Sequence, residues 1–163
     1  NNELPIELPT LIPVLRQMIS SEKLKAIGKP KLKISVNSFS FRRGVPVDES
    51  GHGGGFVFDC RALPNPGRLD QYKELTGMDK EVIDFLEKEP EVFTFLQNCL
   101  QLTESSIKNY ISRSFNNLTV NFGCTGGQHR SVFLAEQVSE IVRSRFDVDV
   151  VLRHREQEMR KTK

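Results

Sequence analysis

Cysteine is scarce in this sequence, which indicates the compartment in which the protein works. The three cysteines, Cys60, Cys99 and Cys124, are odd in number and widely scattered, which argues against a disulfide framework and indicates reduced thiols in a cytosolic protein. The three histidines and these cysteines show no metal-ligand spacing, so we expect no metal site. The glycine-rich piece at 51–55 is not followed by a helix, so it is no dinucleotide fingerprint, and we expect no cofactor.

Long hydrophobic runs and an excess of one charge are also lacking. No apolar run approaches the roughly 20 residues of a membrane span, and no signal peptide is visible. We therefore expect a cytoplasmic protein without a membrane partner. The net charge of +2 is too small to indicate nucleic-acid binding by itself. Basic residues do gather near the end, where seven Lys and Arg stand against four Asp and Glu from Arg143 onward.

Hydrophobic periodicity divides the 163 residues into a short leading piece and one domain. Residues 1–30 are predicted to be an N-terminal linker and helix, ended by Gly28 and Pro30. Residues 31–163 alternate short apolar runs with helical patterns, which predicts a single α/β domain with a mixed, mostly parallel sheet of about four strands flanked by helices. The predicted strands lie at 31–41, 56–60, 118–122 and 148–152.

The stretch 120–131 carries the strongest functional signal. An apolar strand leads into a glycine-bearing loop, and a helical pattern begins at Arg130. A helix start offers free backbone N–H groups and the positive end of the helix dipole, and Arg130 adds a planar fork of donors. Gly126 and Gly127 permit positive φ and a close approach of an anion to the backbone. The predicted phosphate-binding residues are Cys124, Thr125, Gly126, Gly127, Gln128, His129, Arg130 and Ser131.

A second loop is expected at the same edge of the sheet. The strand 56–60 is followed by a rigid turn that contains Pro64 and Pro66. Ligands of open α/β sheets bind beyond the carboxyl ends of the strands. Asp59, Arg61 and Asn65 are therefore predicted to share the cleft with the glycine loop.

One interpretation of the glycine loop is catalytic. Cys124 and Arg130 fit the pattern Cys-x5-Arg, which is similar to the signature of cysteine-dependent tyrosine and dual-specificity phosphatases. In such an enzyme Cys124 attacks phosphorus, Arg130 holds the phosphoryl oxygens, and Asp59 or Asp70 is the general acid. The alternative is a binding domain without catalytic residues.

A broader resemblance favours the binding domain. Five motifs occur in order between residues 31 and 160, and together they resemble the C-terminal domain of the RapZ family, the RNase adapter proteins. They are Ser-Phe-Ser-Phe-x-x-Gly-Val-Pro-Val-Asp at 38–48, Phe-Asp-Cys-Arg-Ala-Leu-Pro-Asn-Pro at 58–66, Leu-Thr-Gly-Met-Asp at 75–79, Gly-Cys-Thr-Gly-Gly-Gln-His-Arg-Ser at 123–131, and Arg-His-Arg at 153–155.

The resemblance implies a domain that binds a phosphosugar, glucosamine-6-phosphate, and a small regulatory RNA that it presents to an endoribonuclease. Thr125, Gly126, Gly127, His129 and Arg130 would hold the phosphosugar, and Cys124 would line the site without reacting. The residues expected to contact RNA are Arg42, Arg43, Arg153, His154, Arg155, Arg160 and Lys161.

The resemblance also bears on what lies outside this sequence. Family members typically join this domain to an N-terminal P-loop nucleotide-binding domain, and some related chains carry a kinase-like domain instead. No Walker motif is present here. We therefore expect the chain to be part of a longer protein, and an accessory domain of a nucleotide-dependent kinase is a further alternative.

Overall fold

A four-stranded sheet forms the centre of the computed structural model, which describes residues 30–51 and 54–161. The leading piece predicted at 1–30 therefore lies, except for Pro30, outside the described residues. In chain order the elements are β1 Lys33–Ser40, β2 Gly55–Asp59, α1 Lys80–Glu87, α2 Pro90–Ser112, β3 Asn117–Cys124, α3 Arg130–Arg145, β4 Asp149–His154 and α4 Arg155–Lys161.

All four strands are parallel, in the order β2-β3-β1-β4. The predicted α/β class, with about four strands flanked by helices, is confirmed, and the sheet is wholly parallel. Ser40 of β1 pairs with Cys124 of β3, and Asp59 of β2 pairs with Gly123. The carboxyl ends of these strands therefore meet at one edge, where ligands of such sheets bind.

The strands alternate because only one face of the sheet packs against the large core. Ile34, Val36 and Val120 point into that core and are fully buried, each contributing about 1.5–3 kcal/mol of transfer free energy. The residues between them are polar: Asn37 donates to the Asn121 side chain at 2.9 Å. Parallel strands that are buried on both faces are usually apolar throughout. The alternation of apolar and polar residues along these strands therefore indicates a sheet with one apolar face and one polar face.

Candidate anion-binding site

The loop between β3 and α3 has unused backbone donors. In the described part of the chain, no backbone N–H group from Gly126 to Val132 donates a hydrogen bond. α3 begins at Arg130, and no side chain caps its first turn. The start of a 16-residue helix concentrates free N–H groups and positive partial charge at one point. The predicted strand, loop and helix start are thus present at the expected positions.

The two loop glycines have different roles. Gly127 has φ +64°, and a Cβ on it would lie 2.8 Å from the backbone nitrogen of Ser40 and 2.5 Å from Cγ of Glu156. Gly126 has no positive φ, and a Cβ there would meet nothing within 4 Å. Gly127 therefore lets the loop fold against β1 and α4, whereas Gly126 leaves the backbone open.

A cleft of about 240 Å³, which we call the anion cleft, lies over this loop. Among the described residues that line it, Arg42, Lys73 and Arg130 are positive and none is Asp or Glu. These lining residues are Arg42, Asn65, Gly67, Lys73, Cys124, Thr125, Gly126, Gln128, His129 and Arg130. Cations and main-chain donors without a carboxylate favour an anionic ligand.

Arg130 is the buried cation of the cleft. Arg130 is only 5% exposed. Its Nη1 donates to the carbonyl oxygens of Arg61 at 2.8 Å and Leu63 at 3.0 Å. Its Nε has no hydrogen-bond partner among the described residues. Buried donors in proteins are nearly always paired. The guanidinium is thus anchored through Nη1, and its Nε is a buried donor without a partner among those residues.

The side chains of Gln128 and His129 form hydrogen bonds with a neighbouring loop. Nε2 of Gln128 donates to the carbonyls of Lys73 at 2.8 Å and Leu75 at 2.6 Å. Nε2 of His129 lies 2.8 Å from the carbonyl of Tyr72, and since a carbonyl only accepts, this nitrogen carries the proton. These contacts bring Lys73 to the cleft, a residue that the sequence analysis missed because no local motif marks it.

The same loop ends in a carboxylate whose ionisation stabilises it. Asp79 accepts from the N–H of Thr76 at 2.6 Å and from its hydroxyl at 2.8 Å, and these bonds lower the pKa of Asp79 below its ordinary 3.8. The folded-state pKa lies below the unfolded one, so this contribution is present above about pH 4 and is lost as the pH falls.

We expect Asp79→Asn to lower the free energy of unfolding by about 1 kcal/mol near pH 7, because the neutral amide is a weaker acceptor on a partly exposed site. Urea unfolding at pH 7 and pH 2.5 checks this, and the difference from the parent chain should shrink at the lower pH. Asp70→Asn is the control, since Asp70 is highly exposed and pairs only with Lys73 in the described residues. An equal loss from Asp79→Asn at both pH values would contradict the assignment.

The second predicted loop reaches the site in part. Asn65 lines the anion cleft and fixes its own turn, with Oδ1 accepting from the N–H of Gly67 at 3.1 Å. Asp59 does not line the cleft, because its carboxylate pairs with Arg61 two residues on. The guanidinium of Arg61 also lies 4.1 Å from the centre of the Phe41 ring.

The structure brings together the thiol and the arginine that a phosphatase would need, but it does not place either candidate general acid in the cleft. Cys124 is buried, with Sγ 3.1 Å from Oγ of Ser131, and it lines the cleft with Arg130. The hydrogen bond from Arg61 lowers the pKa of Asp59, so that carboxyl is ionised near neutral pH and is a poor proton donor. Asp70 does not line the cleft either.

Most of the residues predicted to contact RNA already have partners. Arg43 forms an ion pair with Glu156 at 2.8 Å, and Arg153 pairs with Glu158 at 2.9 Å. The others are placed as follows: Arg155 lies 3.7 Å from Glu49, Arg160 donates to Gln128 at 3.0 Å, His154 is held between Ser38 and Glu136, Arg42 lines the anion cleft, and Lys161 ends α4.

Two other classes of site were sought in the described residues. No helix there is long and apolar enough to cross a bilayer. No group of three or more His, Cys, Asp or Glu side chains there is arranged to hold a metal ion.

The comparison with protein families identifies the domain. The model of the RapZ C-terminal domain matches residues 32–158. The chain belongs to this family. The resemblance seen in the five motifs is thereby confirmed.

Curated relatives of this RapZ-type domain are about twice its length. A nucleotide-binding protein of Actinobacillus pleuropneumoniae is 42% identical over 124 residues, which are 76% of this chain and 41% of the relative. A nucleotide-binding protein of Lactobacillus delbrueckii is 37% identical over 142 residues, 87% of this chain and 46% of the relative. The RNase adapter protein RapZ of Hamiltonella defensa is 36% identical over 149 residues, 90% and 50% respectively. The chain therefore spans two fifths to one half of these relatives.

Proposed function

We propose that this domain is a phosphate-recognising sensor that binds a phosphorylated small molecule, with glucosamine-6-phosphate as the first ligand to test. One observation carries the proposal. Arg130 and the unpaired backbone N–H groups of a helix start lie together at a cleft that has no carboxylate among its described lining residues. A few charge-assisted bonds of roughly 1.5–3 kcal/mol, less the cost of immobilising a ligand, support millimolar to micromolar affinity.

Calorimetry with inorganic phosphate and glucosamine-6-phosphate tests this function. We expect saturable binding of both, tighter for the phosphosugar, and weaker binding in Arg42→Gln, since Arg42 is exposed in the cleft and its loss should leave stability nearly unchanged. Lack of saturable phosphate binding up to about 50 mM, well above the weakest affinity considered, would contradict the proposal.

The second part of the proposal is an adapter role toward RNA and an endoribonuclease, as the name of the Hamiltonella relative suggests. It is supported by the family membership and by basic side chains at the carboxyl edge of the sheet, among them Arg42, Arg155 and Arg160. The ion pairs of Arg43 and Arg153 must open for these residues to contact phosphates. We also propose that the domain works inside a longer, cytoplasmic protein with an N-terminal nucleotide-binding or kinase-like part.

RNA binding is tested by its salt dependence. We expect log affinity for a structured small RNA to fall linearly with log salt, with a slope set by the phosphates contacted. Arg155→Gln should make the slope shallower. Arg113→Gln is the control and should leave the slope unchanged, because Arg113 directly follows the C-terminal end of α2 and is not among the residues expected to contact RNA. Binding that is absent or insensitive to salt would rule out this part.

The phosphatase alternative predicts turnover that depends on Cys124. Because no Asp or Glu lines the cleft in the described part of the chain, and the hydrogen bond from Arg61 lowers the pKa of Asp59, we expect no hydrolysis of an aryl phosphate between about pH 5 and 8. Hydrolysis that disappears in Cys124→Ser would show that the domain is an enzyme.

A further inference from the structure

The polar face of the sheet carries a cavity of about 290 Å³. The helices α2 and α3 pack on the opposite, apolar face, where Ile107 and Leu134 belong to the same core as Ile34. Residues 47–50, which we call the acidic segment, contribute one wall of the cavity, and residues of β1, β3, β4 and the start of α4 contribute the rest. The cavity therefore lies between the polar face and a segment without regular secondary structure.

The two sides of this cavity carry opposite charges. Both carboxylates among the described lining residues come from the acidic segment, and the sheet and α4 contribute only cations and neutral residues. The carboxylates are Asp48 and Glu49, and the cations are Lys33, Arg153 and Arg155. The polar face is therefore basic at this place, and the acidic segment neutralises it.

Glu49 is the residue that meets the arginines. Its Oε1 lies 3.7 Å from Nη1 of Arg153 and 3.7 Å from Nη1 of Arg155. Both distances are longer than the roughly 2.7–2.9 Å of a charge-assisted hydrogen bond, and the Glu49 side chain is 74% exposed. Exposed ion pairs of this kind contribute little to stability. A single, weakly held carboxylate thus stands between two guanidinium groups.

The acidic segment is fixed to the sheet by few contacts. Oδ1 of Asp48 accepts from the N–H of Ser50 at 3.0 Å, which forms a tight local turn, and it lies 3.5 Å from the hydroxyl of Thr119 on β3. The turn keeps its own geometry whether or not it touches the sheet. A stronger anion can therefore displace Glu49 without unfolding a helix or a strand.

The lining of the polar face suits a nucleic-acid backbone better than an acidic peptide. Ser35 and Thr119 add hydroxyl groups beside the cations, and such groups bond to ribose hydroxyls and base edges as well as to phosphate. Arg153 pairs in register with Asn37, four residues from Lys33 along β1, so the cations span about 13 Å of the face. That length exceeds one nucleotide.

We propose that RNA crosses this polar face, where a backbone phosphate replaces the carboxylate of Glu49 between Arg153 and Arg155 and the strand continues toward Lys33. The acidic segment is then a competitor that the RNA displaces. This inference deepens the RNA part of the proposed function and rests on it. It assigns roles to Lys33 and Glu49, which no sequence motif marks.

Fluorescence anisotropy with a labelled RNA hairpin that carries a single-stranded tail tests the inference, at about 50 mM salt where backbone contacts are strong. We expect Glu49→Gln to tighten binding about fivefold, the most that an exposed ion pair returns. Glu140→Gln is the matched control, because Glu140 is an exposed carboxylate on α3, at the other face of the sheet, and its loss should change affinity by less than about twofold.

Two further variants test the position of the RNA. In a chain that carries Arg155→Gln, the gain from Glu49→Gln should shrink to about twofold, because one of the two arginines that Glu49 covers is gone. Lys33→Gln should weaken binding about threefold through the loss of one phosphate contact.

The outcomes separate this inference from the function beneath it. An equal gain from Glu140→Gln, or a gain from Glu49→Gln that Arg155→Gln leaves undiminished, would be a general effect of charge and would overturn the competition while RNA binding stands. Unchanged affinity in Lys33→Gln would exclude the path over the polar face. If neither the parent chain nor Glu49→Gln binds the hairpin, the RNA part of the proposed function is wrong and this inference with it.

Discussion

Gly127→Ala should destabilise the domain by about 3 kcal/mol or more. The positive φ costs an L residue about 1–2 kcal/mol, and the new Cβ would lie 2.8 Å from the backbone nitrogen of Ser40, which cannot move without disturbing β1. The change also pushes on Glu156 of α4, at 2.5 Å. Urea unfolding followed by circular dichroism measures the loss.

Gly126→Ala is the matched control for this substitution. Its backbone is not at positive φ and the new methyl group meets nothing within 4 Å, so stability should be unchanged or higher by up to about 1 kcal/mol. Gly126 lines the anion cleft, so the methyl group should weaken phosphate binding. Comparable destabilisation by the two alanines would mean that the loop conformation described here is wrong.

Arg130→Met should have the second large effect, on stability and binding together. It leaves the buried carbonyls of Arg61 and Leu63 without their donor, at about 1–3 kcal/mol for each unsatisfied group, and it removes the only buried cation that lines the cleft in the described residues. We expect an unfolding free energy lower by about 2–4 kcal/mol and no measurable phosphate binding in the fraction that stays folded.

Arg130→Lys separates the charge of this residue from its shape. Lysine keeps the positive charge but not the planar fork, so stability should fall less than in Arg130→Met while phosphate affinity falls at least about tenfold. Arg42→Gln, on an exposed side chain of the same cleft, should weaken binding alone. Arg130→Lys with unchanged phosphate affinity would show that the guanidinium does not contact the anion.

Local patterns in the sequence were sufficient to predict the sheet and the anion loop. Alternation in β1 and β3 marks strands with one apolar face, and the apolar helical pattern after Arg130 places a helix start directly beyond β3. A strand, a helix and a second strand in close succession favour a parallel crossover, which is why a parallel arrangement of β3 and β4 was predictable.

Long-range hydrogen bonds to the backbone were not predictable in this way. Gln128 and His129 were predicted to bind the anion; they line the cleft, and their side chains also bind the carbonyls of Tyr72, Lys73 and Leu75, a pairing that no local pattern indicates. The same contacts bring Lys73 into the cleft. Asp59 was predicted to lie in the cleft because it ends a strand. Its carboxylate instead binds the guanidinium of Arg61, and the position of Asp59 at the end of a strand does not predict this ion pair.

Amide chemical shifts during a phosphate titration test the central claim most directly. With ¹⁵N-labelled protein, inorganic phosphate should move the backbone signals of residues 125–132 and the Nε–H signal of Arg130 along one saturable curve, because residues 126–132 have unpaired backbone N–H groups in the described chain and Arg130 lines the cleft. Sodium chloride at equal ionic strength should not reproduce the shifts. If the signals of residues 125–132 stay still, whether or not signals elsewhere move, phosphate is not held at the start of α3 and the account is wrong.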